Sequence, residues 1–292
     1  MNFHPAEILS YEEILRLVRI GAGMGITKVR ITGGEPLMRK GLCPFLEKLV
    51  AIPGILDVSI TTNGVKLSDY LKPLKDLGIK RLNISLDSLN RETFEQIAGL
   101  DRLHRVYDTI MTALDMGFSP IKINMVALRG INDHEFGDFA QLTMPLPLHI
   151  RFIEYMPSSP HMLDKKKQIL SPEIKQRLQR RESLIPVLPT NKSAVSETFR
   201  YKNAKGDIGF ISPVSKHFCK TCNRLRLTAD GKLRPCLLSD KFVDIKDAMR
   251  NGKDDSFIGE KLKQAAGLKP EYSLTVGNHN VMVPRLMSAI GG

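Results

Sequence analysis

Several predicted strands in the first half of the chain share one habit: a polar face and an apolar face. In residues 27–32, Lys28 and Arg30 fall on one side and Val29 and Ile31 on the other. In residues 81–87, Asn83, Ser85 and Asp87 oppose Leu82, Ile84 and Leu86. In residues 121–128, Lys122 and Asn124 oppose Ile121, Ile123 and Met125. Two further strands are predicted at 57–62 and 150–155. Between the strands the apolar spacing lengthens to a helical period. Ser10 with Glu13 makes a capping box that opens a helix running to about residue 21–25. Pro44 starts another, and helices follow near 67–77, 91–116 and 133–142.

Strand and helix alternate at near-regular intervals, which predicts a parallel α/β architecture. No Gly-x-Gly-x-x-Gly run marks a dinucleotide fold. Buried parallel strands are usually continuous apolar runs, and an ordinary eight-stranded barrel fills its interior with branched side chains. A polar face repeated on three strands predicts instead a partial, open barrel around a polar ligand.

After Pro157 the pattern changes. Residues 158–205 are mixed, with lysines at 165–167 and a helix expected to begin at Ser171-Pro172-Glu173. Residues 206–215 and a cysteine-bearing hairpin come next, then helical segments to about 267. A boundary near residue 160 divides the chain into 1–160 and 161–292. Three of the four cysteines lie in the hairpin, as Cys219-x2-Cys222-x13-Cys236. Asp230-Gly231 between alternating runs predicts a tight turn that brings Cys236 opposite Leu225. Three converging thiols suit zinc, with His217 as a fourth ligand, or an iron–sulfur cubane with one iron open. Spacing does not separate these two. Arg224 and Arg226 share a strand face beside the thiols, which favours an open site for an anionic, phosphorylated ligand. Cys43, next to Pro44, reads as a packing residue.

Composition adds little to the fold and something to the partners. The 292 residues are 42% hydrophobic and 25% charged, as in soluble globular proteins. The N-terminal stretch has neither a basic nor an apolar signal region, and no apolar run approaches a membrane span. Clustered cysteines suit a reducing compartment, and the cytoplasm is expected. The net charge of +12 points to polyanions, either a nucleoside triphosphate or nucleic acid.

Seven segments stand in order over nearly the whole chain: VRITGGEPLMRKGL, ITTNGVKL, LNISLDSL, IKINMVALRG, RFIEYMP, GFISPVSKHFC and CNRLRLTADGKLRPCL. Together they resemble the GTP 3',8-cyclase family, radical S-adenosylmethionine enzymes that begin molybdenum cofactor synthesis. The resemblance implies a partial triosephosphate-isomerase-type barrel and a C-terminal α+β domain with its own [4Fe–4S] cluster. It implies Cys219, Cys222 and Cys236 as that cluster's ligands. It implies GTP contacts at Lys28, Arg30, Thr61, Lys122, Arg151, Arg224 and Arg226. Gly34, Ser85 and Met156 match positions near S-adenosylmethionine, with Glu35 and Pro36 shaping that turn. Asn83 and Asp87 are further lumen candidates. Gly291-Gly292 matches a double-glycine tail that reaches into the active site. An electron donor and the downstream enzyme that makes cyclic pyranopterin are implied as partners, and a homodimer is compatible with the family.

One departure stands out. The family's first [4Fe–4S] cluster is bound by C-x3-C-x2-C after the first barrel strand, and both would precede Asn2. The expectation is therefore a reading frame that starts upstream of Met1, or a non-catalytic relic that binds GTP and one cluster. For the chain as written, no turnover is expected. A zinc-bearing nucleic-acid binder is the other alternative, resting on the charge and the cysteine hairpin.

Overall fold

The computed structural model describes residues 5–156, 165–188, 195–216, 222–237 and 239–269. The first helix, α1 (Tyr11–Gly23), opens on the predicted capping box. Ser10 Oγ accepts the Glu13 amide at 3.1 Å, and Glu13 Oε2 accepts the Ser10 amide at 2.6 Å. Strand and helix then alternate through β1 (Lys28–Ile31), α2 (Leu42–Val50), β2 (Asp57–Thr62), α3 (Leu71–Asp76) and β3 (Arg81–Ser85). The helix expected over 91–116 is two helices, α4 (Arg91–Ala98) and α5 (Leu103–Asp115). Gly99 separates them: at φ 69° it takes the left-handed conformation and returns its N–H to Glu95. The alternation continues with β4 (Ile121–Ala127), α6 (Phe136–Gln141), β5 (Leu148–Glu154) and α7 (Ser171–Gln179).

Three strands not foreseen follow: β6 (Ile185–Val187), β7 (Ser196–Arg200) and β8 (Asp207–Ile211). They join the same sheet, whose order is β1-β2-β3-β4-β5-β8-β7-β6. The strands from β1 through β8 in that order run parallel, and β7 and β6 add an antiparallel edge. The result is an α/β fold on a mostly parallel sheet. No helix among the described residues is long and apolar enough to cross a membrane.

One face of the sheet is sealed. Leu82, Ile84, Ile121, Ile123, Met125, Ile150, Phe152, Ile208 and Phe210 are essentially inaccessible and belong to one core with the helices. Phe152 sits between Phe136 and Phe210, with ring centroids at 5.3 and 6.0 Å. Burying one such side chain contributes roughly 1.5–3 kcal/mol, so this face fixes the register of every strand. By strand alternation, the polar side chains must then take the opposite face.

A second, smaller core joins Leu233, Val243, Ile245, Met249, Ile258 and Leu262 to Leu17. Leu233 comes from β10 (Lys232–Arg234), Val243 from β11 (Val243–Asp244), Met249 from α8 (Lys246–Arg250) and Ile258 and Leu262 from α9 (Asp255–Gly267), with Ile245 just ahead of α8. Helix α1 links the two cores, because Leu15 belongs to the first and Leu17 to the second. Arg250 to Glu13 at 2.8 Å and Arg16 to Asp255 at 2.8 Å fasten the same junction.

The hairpin of β9 (Arg226–Leu227) and β10 pairs Leu227 with Leu233 and Arg226 with Arg234. Continuing that register sets Cys236 opposite Arg224, one residue from the expected partner Leu225. The reason is a three-residue loop in place of a two-residue turn. Thr228 N–H donates to the Lys232 carbonyl at 2.9 Å, its hydroxyl accepts the Lys232 amide at 3.0 Å, and Gly231 takes φ 85°. A Cβ at Gly231 would meet Lys246 Cβ at 2.5 Å, so glycine is required twice over.

Candidate functional site

Parallel pairing aligns the polar faces in rows. One row reads Thr61, Asn83, Lys122, His149, Asp207 across β2, β3, β4, β5 and β8. The next row reads Ser85, Asn124, Arg151, Gly209. Nearer the strand starts, Arg30, Ser59 and Arg81 form a third. At Gly209 a Cβ would sit 3.3 Å from Arg151 Cγ, so the missing side chain leaves room for that arginine.

The basic groups on this face act on one another. Burial pulls the Lys122 ammonium down to about 7, and repulsion from Arg151, Arg81 and Arg30 adds to it. Burial pulls the Arg151 guanidinium to about 10, again with repulsion from Arg30 and Arg81. Arg30 is lowered by burial, then by Arg224 and Arg81, with Asp57 opposing. Arg30 nonetheless exposes much of its surface. An accessible side chain crowded by protein atoms lines a hollow. Lys28 lies on the same face as Arg30, exposed, two residues nearer the start of β1. Thr61 is half-buried in the middle row.

Two acceptors in the hollow are left over. Asn83 is 3% exposed, and its Nδ2 donates to the Ile60 carbonyl at 3.2 Å, but its Oδ1 has no donor. Asn124 Oδ1 is also without one. Buried oxygens of this kind call for a donor from a ligand or water.

The cysteine hairpin comes to the same place. Arg224 lowers the basicity of Arg30 on β1, so the two positive charges are close neighbours. The placement is mechanical: the Leu9 amide, just before α1, donates to Ala229 O in the hairpin loop at 2.8 Å, and α1 leads into β1. Arg224 Nε donates to Cys222 Sγ at 3.4 Å, and Lys269 Nζ to the Cys222 carbonyl at 2.6 Å. Burial alone would raise the Cys222 thiol, but the bonds to Arg224 and its charge lower it below the ordinary thiol value. Burial, then repulsion from Arg224 and Arg30, takes Arg226 down to about 10, with Cys236 and Cys222 opposing. Both described cysteines of the hairpin are free thiols that act on Arg226. No group of three metal-ligating side chains is present among the described residues. Cys219, His217, Gly291 and Gly292 lie outside them. Cys43 is a free thiol whose acidity burial weakens.

The strand ends carry the remaining candidates. Gly34 follows β1, and a Cβ there would meet nothing within 4 Å. Glu35 accepts Leu37 N–H at 3.0 Å, Thr62 Oγ1 at 2.7 Å and Asn63 N–H at 2.7 Å, tying that loop to the end of β2. Ser85 and Asp87 line a pocket of about 210 Å³ with Asn63, Val65, Phe94, Ile97, Ala98 and Leu100. Burial lifts the Asp87 carboxyl to about 6, although it accepts the Val126 amide at 2.7 Å. Met156 is half-buried just beyond β5.

Sequence reasoning missed five polar residues of the hollow and its margin. Arg81 donates to Asp57 at 2.5 Å; His149 lies 3.2 Å from Asp207; and Arg200 donates to Asp207 at 2.7 Å. Arg81, His149, Asp57 and Asp207 keep the same alternation as their neighbours. Extending the strand predicted at 150–155 by one residue would have found His149, whereas Asp207 begins a strand that was not foreseen.

Similarity to known families defines the class. Residues 2–143 match the Radical SAM superfamily and residues 148–274 match Molybdenum Cofactor Synthesis C. Streptococcus suis SuiB has a similar structure, with TM-score 0.62 at 13% identity over 97% of this chain and 66% of SuiB. SuiB bound to S-adenosylmethionine gives 0.60 at 15% identity over 89% of this chain and 62% of SuiB. The GTP 3',8-cyclase of Thermodesulfovibrio yellowstonii is 47% identical over 98% of this chain and 88% of the relative. That of Moorella thermoacetica is 44% identical over the same shares. The chain belongs to the GTP 3',8-cyclase family, enzymes of molybdenum cofactor biosynthesis.

Proposed function

We propose that the chamber is the GTP site, and that it serves the family's radical conversion of GTP to 3',8-cyclo-7,8-dihydro-GTP. The observation that carries this reading is the mutual repulsion of Arg30, Arg81, Lys122 and Arg151, with Asp57 the carboxylate that offsets it. Such a set is costly to hold alone and is relieved by a polyanion. Arginine's planar fork suits phosphate oxygens, and a lysine adds a point charge.

Lys28, Arg30, Lys122 and Arg151, with Thr61, grip the phosphates. Arg224 and Arg226 close over the nucleotide from the hairpin. The unpartnered oxygens of Asn83 and Asn124 take its hydroxyl or amino donors. Cys222 and Cys236, with Cys219, suit a [4Fe–4S] cluster with one iron open towards guanine. The thiol-lowering contacts of Arg224 support this assignment, since thiolates are the ligands. The open room at Gly34, the exposed Ser85 and the neighbouring Met156 suit S-adenosylmethionine. The radical chemistry belongs to these groups when bound. The chain's own residues place the nucleotide and limit water.

The sheet is read as a partial barrel. Residues 1–160 form its radical-enzyme part, and residues 161–292 form the iron–sulfur part that lends β6, β7 and β8 to it. An electron donor, the downstream pathway enzyme and a second copy of the chain are the proposed partners. Free thiols at Cys43, Cys222 and Cys236 support a reducing, cytoplasmic setting.

The test is calorimetric titration of the anaerobically reconstituted protein with GTP. Lys122→Met and Arg151→Met are each expected to weaken binding at least about tenfold, given roughly 1.5–3 kcal/mol for a bond to a charged group. Melting temperatures should stay close to the parent. Unchanged GTP affinity in both variants would rule the chamber out.

A further inference from the structure

Arg81 and His149 are given no contact with the nucleotide in the reading above, yet both stand on the chamber face beside Lys122. His149 is the register partner of Lys122 on β5. Arg81 lies on β3, two residues before Asn83, the register partner of Lys122 on the other side. The two residues therefore flank the lysine from neighbouring strands.

Each is braced by a carboxylate. Asp57 Oδ2 takes one Nη1 donor of Arg81 at 2.5 Å, which leaves the rest of a five-donor fork for another partner. Asp207 Oδ2 lies 3.2 Å from His149 Nδ1. Asp207 is itself 6% exposed and fixed by Arg200 Nε and Nη2, both at 2.7 Å. A carboxylate on Nδ1 orients the ring and sets Nε2 on its opposite side. Salt bridges that hold a cation in place without enclosing it are what an anion subsite needs.

The position along the sheet says which part of an anion this is. The hairpin arginines abut Arg30 on β1. His149 on β5 lies four strand spacings along the sheet from there, roughly 19 Å at the usual inter-strand distance. A nucleotide with its base at the thiol corner would run its phosphates from Lys28 and Arg30 on β1 across the sheet towards β5. Its terminal phosphate carries the most charge and would meet the far group of cations.

We propose that Arg81 and His149 form a terminal-phosphate subsite on the β3–β5 side of the chamber, making a nucleoside triphosphate preferred over its mono- and diphosphate. The inference rests on the nucleotide reading of the chamber. The electrostatics agree: burial holds the His149 imidazole below its ordinary value, as do Lys122, Arg151 and Arg200, while Asp207 opposes them. An arriving phosphate dianion would act in the same direction as Asp207 and raise the His149 imidazole.

The experiment compares affinities of the reconstituted full chain for GTP, GDP and GMP. Arg81→Gln and His149→Gln should each weaken GTP about ten- to a hundredfold and leave GMP within about twofold, so the GTP-over-GMP preference collapses. Arg81→Lys should recover part of it. Should Arg81→Gln fold poorly because Asp57 loses its partner, the double variant Asp57→Asn, Arg81→Gln removes the imbalance. His149→Gln supplies an independent reading at Asp207. An unchanged GTP-over-GMP ratio in these variants would overturn the subsite, and so would an equal loss for all three nucleotides. Failure of the parent protein to bind GTP at all would instead overturn the nucleotide reading itself.

Discussion

At the residue scale the decisive group is Lys122. Burial and three neighbouring guanidinium groups hold its ammonium at about 7, far below an ordinary lysine. Above that pH the empty chamber holds a mostly neutral Lys122, and a bound triphosphate would restore its charge. Binding therefore takes up a proton, and GTP affinity falls as pH rises from about 7 towards 9. Titrations at pH 8 in buffers of different ionisation enthalpy should show uptake approaching one proton, lost in Lys122→Arg. Proton-neutral binding at that pH would show that Lys122 stays out of the phosphates. Much of this site was legible before the fold was known. Lys28, Arg30, Lys122 and Asn124 follow from a period of two on strands whose other face is aliphatic. Arg81 and Asp57 begin their strands, where a single polar residue looks like a strand end in solvent. His149 precedes the strand start read from the sequence, and Asp207 was left without an element. Their roles depend on pairing across the sheet, which local pattern does not encode.

Elements are placed by a few buried carboxylates as much as by apolar packing. Glu154, 1% exposed at the end of β5, accepts the Ser171 amide at 2.8 Å, opening α7. It also accepts the Val214 and Ser215 amides at 2.8 and 2.9 Å and pairs with the Ser215 hydroxyl. Glu154→Gln would turn an N–H donor towards this nest. The expected loss is roughly 2–4 kcal/mol, read from denaturant unfolding. Stability within about half a kcal/mol of the parent would mean the nest tolerates a neutral partner. Glu35 plays the matching part between the loop after β1 and the end of β2. Strand and helix order was readable from periodicity, and the capping box at Ser10 from three residues. The break at Gly99 was passed over because the helical pattern resumes beyond it. The hairpin register slipped by one because Asp-Gly suggests a two-residue turn, whereas Thr228 closes a three-residue loop. The β6–β7 pair is short, contains Pro186 and sits at the sheet edge, so its signal is weak.

For the whole molecule, the sheet divides two environments. Helices cover one face with a dry aromatic and aliphatic core, and the other face carries mutually repelling cations and unpartnered amide oxygens. The second core holds the thiol hairpin against α1, and α1 hands the chain to β1 where Arg30 stands. Both halves of the site thus depend on one helix. The most direct measurement is the crystal structure of the reconstituted protein with GTP bound. The account predicts the phosphates among Arg30, Lys122 and Arg151, with guanine turned towards Cys222 and Cys236. Phosphates bound on the helical face, or a nucleotide remote from the hairpin, would contradict it.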